Sequence, residues 1–289
     1  MKPFVAFSGA GNDFVLLDGR GEEYAPLLEA AEVQRVCREW KTDGLMILDL
    51  PRVAGTDFRM LFFNPDGSGG MMCGNGGRCI AAYADKLGIA ACAQQNGLPV
   101  YRFEAPDGVH EAAVLSRPCP DCPAWTVRLG MKDVTSVERL QEGFFLDTGT
   151  RHLVVFVHDV DKVDVAVRGR QLRHLPRFAP VGTNVDFVSF HEDGLHVRTF
   201  EKGVEGETLA CGTGITASAI AAFEYGIPPE SCESIVPPDC GMLDGPERVG
   251  YELIARRGDR LKVEFDVHAE GVLARNVVLT GPAEIRFVI

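Results

Sequence analysis

A cysteine followed by Gly-x-Gly and a run of small residues occurs twice in this chain. The first copy, Cys73-Gly74-Asn75-Gly76-Gly77-Arg78-Cys79, leads into Ile80-Ala81-Ala82-Tyr83-Ala84. The second, Cys211-Gly212-Thr213-Gly214-Ile215-Thr216, leads into Ala217-Ser218-Ala219-Ile220-Ala221-Ala222. The cysteines lie 138 residues apart, as do Gly11 and Gly149, and Phe62 and Phe200. Three anchors at one offset predict an internal duplication and two similarly folded lobes. The polar stretch 132–143 is the expected junction, which gives residues 1–138 carrying Cys73 and residues 139–289 carrying Cys211. The paired helix mouths are expected to meet at a cleft between the lobes, a common place for small-molecule sites.

Both halves run through the same programme. Phe4-Val5-Ala6-Phe7, a turn at 8–13 and Phe14-Val15-Leu16-Leu17 read as strand, turn, strand. Phe145-Leu146-Asp147, a turn at 148–151 and Leu153-Val154-Val155-Phe156-Val157 repeat the pattern. Apolar spacing predicts a helix over 26–40, with Pro26 in its first turn. A second helix over 160–175 is interrupted by Gly169. Leu45 to Leu48, Phe58 to Phe63, Asn184 to Val188 and Val197 to Phe200 read as strands. Residues 99–131 and 249–289 alternate as antiparallel strands do. The class is α+β.

The chain of 289 residues has a net charge of −12, which argues against nucleic-acid binding, since phosphate needs a basic face. No apolar run reaches membrane-spanning length, and the first residues carry no signal-peptide pattern, so a cytoplasmic protein is expected. Nine cysteines are an odd number and too sparse for a disulfide scaffold. Free thiols are therefore expected.

A cysteine at a helix mouth faces free backbone N–H groups and the positive end of the helix dipole. That setting lowers a thiol's pKa. The adjacent glycines let a ligand approach the backbone closely. Two such thiols on opposite sides of one carbon suit stereoinversion, one thiolate removing a proton and the other thiol returning one to the opposite face. The α-proton of an amino acid is very weakly acidic, and its loss builds charge on the carboxylate. Backbone N–H groups of Gly74, Asn75, Gly212 and Thr213 would stabilise that charge. The thiols would titrate as a coupled pair.

Several stretches together resemble the diaminopimelate epimerases, cofactor-independent amino-acid epimerases. They are Gly9 to Val15, Phe63-Asn64-Pro65-Asp66-Gly67-Ser68 leading to the first cysteine motif, Asn184-Val185-Asp186-Phe187, Arg198-Thr199-Phe200-Glu201-Lys202-Gly203 leading through Glu207 to the second, and Leu279-Thr280-Gly281-Pro282-Ala283. The resemblance implies two pseudo-symmetric lobes, each a curved, mostly antiparallel sheet wrapped around a central helix. It implies Cys73 and Cys211 as the acid–base pair for converting LL-2,6-diaminopimelate to the meso form. His152 and Glu201 would tune the thiols. Gly74, Asn75, Gly212 and Thr213 would hold the α-carboxylate. Asn12, Asn64 and Asn184 would contact the amino and distal groups. No pyridoxal phosphate or metal would be needed, and a homodimer is expected. The chain departs from the commonest pattern with Thr150-Arg151-His152 for Asn-Pro-His, Lys202 for Arg, and Gly44 for a substrate-contacting Gln. Gly44, Thr150 and Lys202, together with Glu201, thus join the substrate-binding candidates, and a racemase of another amino acid is the alternative.

The other cysteines carry blander readings. Cys79 falls inside the first motif helix and reads as core. Cys119-Pro120-Asp121-Cys122 has CxxC spacing but no second CxxC or His pair, which makes it a surface turn. Cys37, Cys92, Cys232 and Cys240 read as structural. A non-catalytic thiol protein for redox sensing or metal binding is the remaining alternative.

Overall fold

The computed structural model describes residues 3–21, 24–70, 72–229, 247–268 and 271–288. The chain divides into two compact units, Met1–Gly130 with Thr280–Ile289, and Met131–Leu279. The first unit thus ends at Gly130 and takes back the last ten residues, which the division at 138/139 gives to the second half.

In the first unit β1 (Val5–Gly9) and β2 (Asn12–Asp18) form the expected hairpin, with Phe7 opposite Phe14. A 3-10 turn at Ala25–Leu28 precedes α1 (Ala30–Trp40), so the helix starts later than Pro26 suggests. Next come β3 (Gly44–Asp49), parallel to β2, and β4 (Phe58–Phe63), antiparallel to β3. Val15, Leu17, Leu45 and Ile47 pack with Val33, Val36 and Cys37 of α1. The alternate positions Leu16, Met46 and Leu48 are also buried and point to the opposite face. α2 (Gly74–Lys86) lies on that face, buried from Gly74 through Ala84, and packs against β1, β2 and β3. β5 (Ala93–Gln95), β6 (Leu98–Ala105), β7 (Gly108–Ser116) and β8 (Ala124–Gly130) pair antiparallel in sequence order from β5 to β8, and β7 and β8 also touch α2.

The second unit repeats this local order. β9 (Val137–Arg139) and β10 (Phe144–Asp147) lead to β11 (Arg151–Phe156), then α3 (Val165–Arg173), then β12 (Asn184–His191), parallel to β11. β13 (Gly194–Glu201) and β14 (Gly206–Thr208) follow, antiparallel to β12 and β13 respectively. α4 (Gly212–Tyr225) comes next, buried at Gly212 and from Gly214 through Ala222. β15 (Glu247–Ile254) pairs antiparallel with β16 (Arg260–His268). β17 (Gly271–Val288) runs out of the second unit into the first, where its end pairs with β1. Leu153, Val155, Val185 and Phe187 pack with Val165, Phe178 and Phe200 in the second core.

Gly169 does not interrupt α3. It is buried, and a Cβ there would overlap the Phe200 side chain, so the glycine lets the helix sit down on β13. Strand pairing also adjusts the repeat. Leu45 pairs with Phe63 and Val185 with Phe200, which makes Phe63 rather than Phe62 the counterpart of Phe200.

The described residues thus form a mixed α/β fold of four α-helices and seventeen strands, with most strand pairs antiparallel. Cys37 and Cys79 are buried, as core cysteines should be, whereas Cys92 is exposed. Cys119 and Cys122 are exposed and face each other across a tight turn closed by two backbone hydrogen bonds. Cys232 and Cys240 lie outside the described residues.

Candidate active site

Cys211 is the N-cap of α4 and is buried. Its sulfur lies 3.3 Å from the Thr213 hydroxyl. That hydroxyl is 3.0 Å from His152 Nε2 and 3.2 Å from the Thr150 hydroxyl, which itself stands 2.9 Å from Nε2. On the other side of the ring, His152 Nδ1 meets Asp186 Oδ2 at 2.7 Å, with both side chains fully buried. Thr199 donates to Asp186 Oδ1 at 2.7 Å. A continuous chain of polar groups therefore runs from the Cys211 sulfur through Thr213 and His152 to Asp186. Parallel pairing of β11 and β12 brings it together, since His152 sits opposite Asn184 and two residues from Asp186 on the same face.

Glu201, at the end of β13, lies beside the Cys211 thiol. Burial pushes its carboxyl above the ordinary carboxylate range, against the opposing pull of that thiol. Burial likewise raises the Cys211 thiol well above its ordinary value, and the charges of Glu201 and Asp186 add to the rise. The Gly214 N–H opposes it and loses. The helix mouth was expected to lower this thiol's pKa. At Cys211 desolvation and two nearby carboxylates outweigh the helix terminus, and the resting group is a thiol.

Asn184 and Lys202 meet through the backbone, the Lys202 N–H donating to Asn184 Oδ1 at 2.8 Å. The Asn184 amide donates to the Arg151 carbonyl at 3.0 Å and to the Thr150 hydroxyl at 3.3 Å. Its polar atoms are thus directed to protein groups. The second unit therefore gathers His152, Thr150, Asn184, Glu201, Lys202, Cys211, Gly212 and Thr213 at the mouth of α4.

In the first unit Cys73 is the N-cap of α2, half-buried, and its sulfur accepts from the Gly76 N–H at 3.2 Å. Asn75 donates to Asn12 Oδ1 at 2.6 Å, and Asn12 in turn donates to Asp43 at 3.3 Å. Burial raises the Asp43 carboxyl. Behind them Arg78 is fully buried. It donates to the Gly74 carbonyl at 3.1 Å, to Asn75 Oδ1 at 3.0 Å and to the Pro282 carbonyl at 3.3 Å. Asn64 is held in its own loop, donating to the Ser68 hydroxyl at 3.0 Å. Gly44 faces Phe62, and a Cβ there would come within 2.5 Å of the ring.

The profile of the family described as diaminopimelate epimerase matches residues 4–97 and 144–235, which include both cysteine motifs. The chain belongs to the diaminopimelate epimerase family. The diaminopimelate epimerase of Chlorobaculum tepidum is 40% identical over 228 residues, covering 76% of this chain and 82% of that protein. That of Flavobacterium psychrophilum is 33% identical over 287 residues, covering 97% and 96%. Among solved structures, a phenazine biosynthesis protein of the PhzF family from Bacillus anthracis superposes with a TM-score of 0.68 at 14% identity, covering 100% of this chain and 99% of that one. A hydroxyproline epimerase from Agrobacterium vitis, with trans-4-hydroxy-L-proline bound, gives 0.61 at 15% identity, covering 99% and 91%. These structures share the fold.

Within this diaminopimelate epimerase family member, sequence reasoning missed Asp186, Thr199, Arg78 and Asp43. Asp186 carried a signal, as a charged residue in the otherwise apolar run Val185 to Val188. So did Arg78, a cation one helical turn into a run of glycine and alanine.

Proposed function

We propose that this chain epimerises LL-2,6-diaminopimelate to the meso isomer by two-base proton transfer at the α-carbon, with Cys73 and Cys211 as the two acid–base groups. The observation that carries the reading is the family match across both cysteine motifs. It is supported by the placement of each cysteine as the N-cap of a buried helix.

One sulfur, as thiolate, takes the α-proton, and the other, as thiol, delivers a proton to the opposite face. The substrate inverts, the two sulfurs exchange protonation states, and proton exchange with the surroundings resets them. Cys211, held as a thiol by burial and by Glu201 and Asp186, is the proton donor of the resting enzyme. Glu201 lies beside the thiol and is the acceptor within reach when Cys211 acts as base. The first-turn N–H groups of Gly74, Asn75, Gly212 and Thr213 bind the α-carboxylate as charge builds on it. Asn12, Gly44, Asn64, Thr150, Asn184 and Lys202 receive the amino and distal groups. The lobes are duplicates of one curved sheet around a central helix, a reading supported by the matching registers Phe14 with Gly44 and His152 with Asn184. The enzyme works as a cytoplasmic homodimer without pyridoxal phosphate or metal.

The test is incubation of the purified protein with LL-diaminopimelate in deuterated water. The expected result is meso-diaminopimelate labelled at the inverted α-carbon, and loss of turnover in Cys73→Ala and Cys211→Ala. Absence of turnover on diaminopimelate overturns the reading. Exchange on a different amino acid instead would make the chain a racemase of that compound.

A further inference from the structure

The polar chain behind Cys211 ends on a residue that no functional reading assigns. Asp186 has a carboxylate with its two oxygens used separately. Oδ1 accepts from the Thr199 hydroxyl, and Oδ2 faces His152 Nδ1. A carboxylate only accepts, so Nδ1 carries the proton. On the far side of the ring stand the hydroxyls of Thr150 and Thr213, with Asn184 Nδ2 at 3.4 Å from Nε2. The Lys202 N–H fixes the Asn184 amide with Oδ1 away from the ring, so Asn184 presents a donor. The groups around Nε2 are thus two hydroxyls and one donor-only amide, and they fit a neutral ring whose Nε2 lone pair is bare.

A bare Nε2 draws a hydroxyl proton toward it. When Thr213 supplies that proton, its oxygen is free to accept from the Cys211 thiol. If the ring took the other tautomer, Nε2–H would push the hydroxyl protons toward the sulfur and favour the thiolate. We propose that Asp186 is a positioning residue for Cys211: through His152 Nδ1 it fixes the imidazole tautomer, and the tautomer sets whether the Thr213 hydroxyl receives from or donates to the sulfur. The inference rests on the proposed function only in treating Cys211 as a reacting thiol.

Two further observations support it. Gly214, the second glycine of Cys-Gly-x-Gly, has no room for a side chain, because a Cβ would overlap Asp186 Oδ1. The glycine therefore admits a carboxylate to the first turn of α4, where the helix dipole favours negative charge. At the matching place in the first unit, a Cβ on Gly76 would approach Met46 Sδ at 3.3 Å. By strand register Met46 of the first unit corresponds to Asp186 of the second, and Phe14 to His152. One helix mouth is thus backed by Phe and Met and the other by His and Asp. The charged or titratable groups that act around the Cys211 thiol and the ring are His152 of β11, Asp186 of β12, Glu201 of β13 and Asp147 at the end of β10.

The test uses substrate-free full-length protein. Nitrogen-15 spectra of the His152 ring are compared in wild type, Asp186→Asn and Glu201→Gln, together with the pH dependence of Cys211 alkylation by iodoacetamide. Wild type is expected to show Nδ1 protonated and Nε2 bare. Asp186→Asn should shift the ring toward the Nε2–H tautomer and move Cys211 alkylation to lower pH. Glu201→Gln removes a charge without touching the ring, so it should move alkylation and leave the ring spectrum alone. With diaminopimelate, Asp186→Asn should lower kcat roughly 10- to 100-fold with KM within about twofold. An Asp186→Asn protein with the wild-type tautomer and alkylation profile overturns the proposal. If that variant does not fold, a wild-type spectrum with protonated Nε2 overturns it. The expected spectra in a protein inactive on diaminopimelate would defeat the proposed function and leave this inference standing.

Discussion

His152 and Asp186 meet at 2.7 Å with neither side chain reaching solvent. Breaking such a pair strands one polar partner, so Asp186→Ala should cost about 3–5 kcal/mol in urea unfolding. Replacing both partners with apolar groups removes that penalty. The double variant His152→Phe with Asp186→Met installs the residues found at Phe14 and Met46. It should recover most of the lost stability while remaining inactive on diaminopimelate. A double variant no more stable than Asp186→Ala would show that the pair is not the source of the cost.

The raised Cys211 thiol gives a second expectation. Its folded pKa lies above that of an unfolded cysteine, so folding retains the proton more tightly. The associated stability is complete below the unfolded value of about 8.5 and is lost as pH rises beyond it. Buried Cys79 and Tyr83, the latter pushed up to about 12 by burial, add to the same alkaline loss. Urea midpoints measured from pH 8 upward should therefore fall, and Cys211→Ala should fall less steeply than wild type. Parallel slopes would contradict the raised thiol.

Arg78 ties the first turn of α2 to the Pro282 carbonyl and holds Asn75 toward Asn12. Lysine keeps the charge but not the fork that reaches three acceptors. Arg78→Lys should destabilise by about 2 kcal/mol or more, and Arg78→Met of similar length should cost more, because it leaves the Asn75 amide oxygen and two carbonyls without their donor. Chemical denaturation of the two variants makes the comparison.

The two motif glycines should differ in their tolerance. A methyl at position 214 meets a fixed carboxylate, whereas one at position 76 meets Cys73 Sγ at 3.2 Å and the flexible Met46. Gly214→Ala is expected to lose about 1–3 kcal/mol more than Gly76→Ala in thermal or urea unfolding. Equal losses would place Asp186 elsewhere than in this arrangement.

Much of the scaffold is legible in the sequence, and the reasons are local. Gly-x-Gly followed by small residues predicts α2 and α4 because nothing in those stretches competes with a helix, and alternation predicts the strands from residue 99 to 131. Gly169 misled because propensity registers the cost of glycine in a helix but not the Phe200 ring that demands it. The helix mouth misled at Cys211 because the dipole argument counts N–H groups and omits Glu201 and Asp186, which arrive from other strands. The Asp186–His152 contact joins residues 34 apart through parallel pairing, a relation no short motif displays.

Gly44 offers a last test. A Cβ there would meet the Phe62 ring at 2.5 Å and the Phe63 backbone carbonyl at 2.8 Å, and the same ring excludes a side chain from Gly70. Gly44→Gln alone should destabilise the protein by about 1–3 kcal/mol through overpacking. Adding Phe62→Ala should relieve only the ring's share of that cost and leave the clash with the Phe63 carbonyl, so a double-variant cycle in urea unfolding should show favourable coupling between the two positions, and additive losses would contradict the contact.

The return of the final strand has a consequence for synthesis. Thr280–Ile289 belong to the first unit, where β17 pairs with β1 and Pro282 accepts from Arg78. The ribosome makes the Cys73 unit first, yet that unit lacks one edge of β1 and an anchor of its buried arginine until the last residues emerge. The half that is born first is finished last, and a bare strand edge of this kind is a liability while it waits. A gene cut at the midpoint would yield two pieces, neither carrying a whole unit.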